Sequence, residues 1–171
     1  MVLAEIRVPT AGAMRQLGRQ LAAMLRPGDL VVLDGPLGAG KTTLVQGIGE
    51  GLGVRGPVTS PTFVIARVHP STSSGPPLVH ADAYRLGSRA EVDDLDLDTD
   101  LGSSVTAVEW GEGLVEELAP SHLLIEISMA APGAGGPGDE SDGDEPRTVR
   151  LVGSGERWDT AAAGLSTAVT R

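Results

Sequence analysis

GPLGAGKTT, residues 35–43, fits the spacing G-x-x-x-x-G-K-[ST], with Gly35, Gly40, Lys41 and Thr42 at the fixed positions. LVVLD (30–34) precedes it as a short apolar strand. In TTLVQGIGEGL (42–52) the apolar residues Leu44, Val45, Ile48 and Leu52 recur at helical spacing. Strand, loop of small residues and helix, in that order, make an anion cup. Small residues let successive backbone N–H groups converge because no Cβ blocks the approach. The helix then aims its unpaired N–H groups and positive dipole end at the same point. Lys41 adds a mobile point charge for the β and γ phosphates of a nucleotide, and the Thr42 hydroxyl suits Mg²⁺. The alternative is a Gly-rich turn that matches by accident. Against it, Lys41 is the only lysine in a chain with 13 Lys plus Arg. A compact ammonium on a flexible stem is not interchangeable with a guanidinium at such a site.

The remaining composition sets bounds. A length of 171 residues suits one domain with a real core. No cysteine is present, so disulfides and thiolate metal sites are excluded, in keeping with a cytoplasmic location. No apolar run suffices for a bilayer span, and MVLAEIRVP at the start does not resemble a secretion signal. The net charge of −10 is concentrated: residues 91–100 hold six acids and residues 139–145 hold five, with no Lys or Arg in either run. The rest is near neutral and shows no basic stripe, which argues against direct high-affinity binding of nucleic acid. An acidic run can dock a basic partner, but the second reads more simply as solvated.

Around the loop, the order of elements is as follows. Residues 5–8 read as a first strand, and Thr10 as the N-cap of a helix with the apolar stripe Met14, Leu17, Leu21 and Met24. Residues 63–68 and LVHADAYRL (78–86) read as two strands of a hairpin, joined by a Gly/Pro/Ser loop. Ser88 with Glu91 resembles a capping box for a short helix. Residues 105–108 form the next apolar strand, 114–118 a short helix and 122–128 another strand. Residues 132–146 (PGAGGPGDESDGDEP) have the composition of a disordered loop. Residues 148–152 return as an antiparallel edge strand, and 158–169 form a terminal helix packed through Trp158 and Leu165. The expected fold class is α/β: a three-layer mixed sheet flanked by helices, of the P-loop NTPase kind. In such sheets ligands bind outside the carboxyl ends of the parallel strands.

A phosphate cup only binds; hydrolysis also needs a metal-side carboxylate and a group that places the nucleophile. Glu109 follows the strand VTAV, where a P-loop protein carries the acid that serves Mg²⁺. Asp82, at the end of a different strand, is the candidate for orienting or activating water; a salt bridge with Arg85 is its structural alternative. Lys41, Asp82 and Glu109 are thus the candidate catalytic residues. Thr62, in TSPT (59–62), is placed to sense a γ-phosphate, though Ser60-Pro61 can equally just shape a turn. His69, His80 and His122 lack metal-ligand spacing and read as structural, and Trp110 reads as core.

Taken together, GPLGAGKTTL, SPTF, HADAYRL and VEWGEG, in that order and at these separations, resemble the bacterial TsaE (YjeE-type) ATPases. The resemblance runs from about Thr10 to the strand at 148–152. It implies a small P-loop fold that binds ATP and Mg²⁺ and is implicated in making the threonylcarbamoyl modification on adenosine 37 of tRNAs. It further implies action with TsaD and TsaB proteins, with ATP hydrolysis needed for turnover. By the same resemblance, Gly38, Ala39, Gly40, Lys41, Thr42 and Thr43 bind phosphates, and Thr42 and Glu109 serve the metal. Asp82 is functionally important, Thr62 lies in a switch-like loop, Thr10 approaches the adenine and Arg147 reaches the nucleotide. The chain departs from the pattern at Pro36, where an acid is common, and at Ala81 and Ala83, where bulkier residues are usual. Segment 132–146 has no counterpart.

Other functions remain open on the residues alone. A small-molecule kinase fits the length and the loop, but no Arg cluster that would serve as its lid follows Glu109. A GTP-driven switch needs an N-K-x-D segment, and the chain has no asparagine. A nucleotide-gated adaptor with little intrinsic hydrolysis is compatible with the same motifs.

Overall fold

The computed structural model describes residues 1–59, 66–84, 101–129 and 145–161. Seven strands, β1 (Val2–Val8), β2 (Leu30–Asp34), β3 (Ala66–His69), β4 (Leu78–Asp82), β5 (Val105–Glu109), β6 (His122–Met129) and β7 (Arg147–Ser154), form one sheet in the order β1-β7-β6-β2-β5-β4-β3. The four central strands β6, β2, β5 and β4 are parallel. β1, β7 and β3 are antiparallel to their neighbours, so the sheet is mixed, as expected.

Strand alternation divides the core in two. Val31 and Leu33 of β2 face helices α1 (Ala11–Ala22) and α2 (Lys41–Leu52), packing with Leu17, Leu21, Leu44 and Ile48. Leu30 and Val32 face the opposite side, where they pack with Val79, Val108, Leu101 and Val115. Among the described residues that second layer is segment 101–119, which ends in a 3-10 turn at Glu116–Leu118 rather than the expected helix over 114–118.

α1 starts as its sequence dictates: Thr10 is extended (φ −140°, ψ 164°) and its Oγ1 accepts from Ala13 N–H at 3.0 Å. α1 and α2 then approach so closely that glycine is required on both. A Cβ on Gly18 would lie 2.3 Å from the Leu44 carbonyl oxygen, and one on Gly47 would lie 2.1 Å from that of Arg15. This contact fixes the angle at which α2 leaves the phosphate loop. At the far end, Asp29 receives Arg157 Nη2 at 3.0 Å in a largely buried ion pair, which ties β2 to the helical segment at 156–161. Trp158 on that segment is fully buried, as expected.

Several expectations are corrected. The strand at the C-terminal side is not an edge strand. β7 lies between β1 and β6, because the first strand is longer than residues 5–8 and pairs with it from Val2 to Val8. The strand expected over LVHADAYRL is shorter: β4 ends at Asp82, and Tyr84 N–H turns back to donate to Asp82 Oδ1 at 2.9 Å. The hairpin partner is β3 at Ala66–His69. Residues 60–65, 85–100, 130–144 and 162–171 lie outside the described residues. With them go Thr62, Arg85, the capping box at Ser88, Leu165 and nearly all of segment 132–146.

The glycine contact between the helices gives a direct test. Gly47→Ala is expected to lower stability by about 1–3 kcal/mol through overpacking, read as a lower urea midpoint. An unchanged midpoint would contradict the close approach.

Candidate functional site

Gly35–Thr43 leaves the C-terminal end of β2, and Glu109 and Asp82 end the neighbouring parallel strands β5 and β4. Register makes them meet: Leu33 pairs with Glu109, and Glu109 pairs with Asp82. Carboxylates at the ends of adjacent parallel strands thus stand side by side beyond the sheet, beside the N-terminus of α2. A cavity of about 440 Å³ lies there, lined by Lys41, Thr42, Asp82, Glu109, Trp110 and Tyr84 together with the loop residues Leu37, Gly38, Gly40 and Thr43.

The loop is shaped for an anion. Gly38 and Gly40 hold φ of +79° and +107°, a left-handed conformation that side chains rarely adopt, and a Cβ on Gly38 would meet no atom within 4 Å. Gly40 is the N-cap of α2, and no side chain caps that helix. Its first N–H groups are therefore available to a ligand.

Lys41 is only 5% exposed. Its ammonium donates to the carbonyl oxygens of Gly35 (2.6 Å) and Pro36 (2.9 Å) and lies 3.9 Å from the centre of the Trp110 ring. Burial pulls its pKa below the usual lysine value. The nearby carboxylates of Glu109, Asp34 and Asp82 oppose that shift without cancelling it. Thr42 Oγ1 donates to Glu109 at 3.0 Å (Oε1) and 3.3 Å (Oε2). A hydroxyl and a carboxylate converging this closely are two hard oxygen donors of the kind Mg²⁺ takes. Glu109 itself is 4% exposed, and its Oε2 also lies 2.6 Å from His80 Nε2.

The structure therefore brings Lys41, Thr42, Thr43, Gly38, Gly40, Asp82 and Glu109 to one cavity. Ala39, buried behind the loop, lines a second, smaller cavity of about 100 Å³ with Thr10 and Arg147. Thr10 Oγ1 is engaged as a helix cap, and Arg147 Nη2 reaches the Gly38 carbonyl at 3.4 Å. Thr62 lies outside the described residues. Trp110 is not core. It takes φ 60°, donates its backbone N–H to Leu33, and turns its half-buried ring into the cavity, where Tyr84 packs 5.1 Å away. A tryptophan directly after a strand-terminal acid and before a glycine was the available signal for that turn. His80 was legible too: in HADAY the alternation puts His80 on the face of Asp82.

The model of the family described as "Threonylcarbamoyl adenosine biosynthesis protein TsaE" matches residues 8–133. The chain belongs to the TsaE family. A relative from Streptomyces coelicolor, a tRNA threonylcarbamoyladenosine biosynthesis protein TsaE, is 62% identical over 149 residues, covering 86% of this chain and 95% of that protein. The TsaE of Bacillus subtilis is 35% identical over 153 residues, covering 89% and 87%. The crystal structure of YdiB from Bacillus subtilis superposes with a TM-score of 0.72 at 31% identity, covering 97% of this chain and 96% of that one. Among the described residues no helix is long and apolar enough to cross a membrane.

Lys41 carries a pH signature. Folding lowers its pKa, so between the folded value and 10.5 the unfolded chain binds more protons than the folded one. The ammonium therefore costs stability below the folded pKa, and that cost fades as pH climbs toward 10.5. The unfolding free energy of wild type is expected to gain on that of Lys41→Met over this alkaline range, measured by urea denaturation at stepped pH. A flat difference, or one that moves against wild type, would contradict the burial of the charge.

Proposed function

We propose that this protein is the ATP-binding and ATP-hydrolysing component of the system that forms the threonylcarbamoyl group on adenosine 37 of tRNA, and that it acts with partners of the TsaD and TsaB type. One observation carries the ATPase part: Lys41, Thr42, Asp82 and Glu109, from three different elements, line a single cavity at the N-terminus of α2. The family relationship, and the names of its members, support the pathway.

In this reading the N–H groups of the loop and of the first turn of α2 take the phosphates of ATP. Lys41 exchanges its bonds to the Gly35 and Pro36 carbonyls for phosphate oxygens, and the low local dielectric around its buried ammonium strengthens that attraction. Thr42 and Glu109 are the residues that would hold Mg²⁺, which draws charge from the phosphates it binds. Asp82, half-buried with one oxygen fixed by Tyr84 N–H, orients the attacking water and accepts its proton, so that ADP and phosphate leave. The near-neutral body outside the two acidic runs supports contact with tRNA through protein partners rather than directly.

The two acids are expected to fail differently. Glu109→Ala should weaken Mg²⁺-dependent ATP binding about tenfold or more, by loss of a charge-assisted contact. Asp82→Ala should leave binding within about twofold but lower turnover about 10²–10⁴-fold, the scale of a general base. Calorimetric binding and phosphate release, with and without the partner proteins and with Lys41→Ala as blank, separate these. Unimpaired turnover in Asp82→Ala would remove that residue from the chemistry. Equal ATP consumption by Lys41→Ala and wild type would refute the ATPase reading.

A further inference from the structure

The imidazole of His80 lies wholly inside the protein, with Nε2 2.6 Å from Glu109 Oε2. A carboxylate only accepts, so Nε2 donates. Nδ1 is buried and, among the described residues, has no hydrogen-bond partner. The geometry therefore supports the tautomer with its proton on Nε2, because a proton on Nδ1 would be a buried donor without an acceptor. A residue needed only to fill this space would serve better as an apolar side chain. An orphaned buried nitrogen calls for an explanation.

Strand register supplies one. His80 pairs with Ala107 and Asp82 pairs with Glu109 across the parallel strands β4 and β5, so all four side chains share the face covered by α2. Ala107, with only a methyl group, leaves room for the ring to cross diagonally to Glu109. The Glu109 carboxylate is thus gripped from two sides, at Oε2 by His80 and at Oε1 by Thr42 Oγ1 at 3.0 Å.

We propose that His80 is a positioning residue for Glu109. By holding Oε2 it fixes the rotation of the carboxylate and presents Oε1 at Thr42, where the two residues would share the cation. This inference rests on the Mg²⁺·ATP reading above. It assigns His80 to the metal-dependent part of nucleotide binding and not to the phosphate contacts of the loop. Hydrogen-bond partners that orient metal ligands typically account for about 10–100-fold in metal affinity.

The test measures the affinity of a fluorescent ATP analogue across a Mg²⁺ titration and in EDTA, for wild type, His80→Leu, His80→Asn and His80→Gln. The Gln amide reaches the place of the imidazole Nε2, whereas the Asn amide stops near Nδ1. The Mg²⁺ requirement is expected to rise about 10–100-fold in the Leu and Asn variants, with the EDTA affinity unchanged, and Gln is expected to restore it to within a few-fold of wild type. If the Leu variant does not fold, as judged by thermal unfolding, the contrast between Gln and Asn decides. Wild-type Mg²⁺ dependence in the Asn variant, or a Gln variant no better than Asn, overturns the positioning role; so does an equal loss in EDTA and in Mg²⁺. A wild-type protein whose nucleotide affinity ignores Mg²⁺ overturns the Mg²⁺·ATP reading itself and this inference with it.

Discussion

The hydrogen bond from Thr42 Oγ1 to the Glu109 carboxylate joins the first turn of α2 to the end of β5. Much else exists to make it possible. β2 and β5 are parallel and in register through Leu33 and Glu109, which sets the height of the acid beside the loop. Gly18 and Gly47 let α1 press against α2, the helix whose first turn carries Thr42. The Trp110 turn then carries the chain away at once, with its backbone N–H on Leu33, so that Glu109 is the last residue of its strand.

The electrostatics follow from burial. Among the described residues, Lys41 is the one cationic side chain that lines the cavity, and the carboxylates of Glu109, Asp82 and Asp34 are close enough to act on it. A polyphosphate would add more negative charge to a site in which acids already outnumber the lysine. Glu109 and Asp82 would repel it unless a cation came too. This is a physical reason for a nucleotide to enter with a divalent ion, which Glu109 would then hold instead of repelling the nucleotide. Lys41, meanwhile, is only 5% exposed and is held by the Gly35 and Pro36 carbonyls, which a phosphate would replace on the reading proposed above.

How much of this was readable in the sequence depended on how local the cause was. The loop, Thr10 as a cap, the strands β2, β5 and β6 and the placement of Glu109 at a strand end all follow from short-range spacing, and the structure has them where that spacing puts them. The order of strands does not: β7 moved from the edge to the interior because β1 pairs with it from across the chain, and no local pattern encodes that partner. Trp110 reads as core in the sequence because large aromatic residues usually are. Its exposure comes from a left-handed backbone at residue 110, a property of the turn and not of the side chain. His80 was visible as a residue two before Asp82, but its contact with Glu109 depends on the pairing of β4 with β5. Thr10 and Arg147 share a separate small cavity behind the loop, an arrangement that needs β1 and β7 to be neighbours.

On the proposed reading, Thr42 and Glu109 act as a single metal site rather than as two independent contacts. A double-mutant cycle on Mg²⁺·ATP affinity, with Thr42→Val, Glu109→Gln and the pair, tests this most directly by calorimetry. If the two residues share the ion, either substitution alone breaks the site and the double variant is little worse than the poorer single one. Strictly additive losses would contradict the claim.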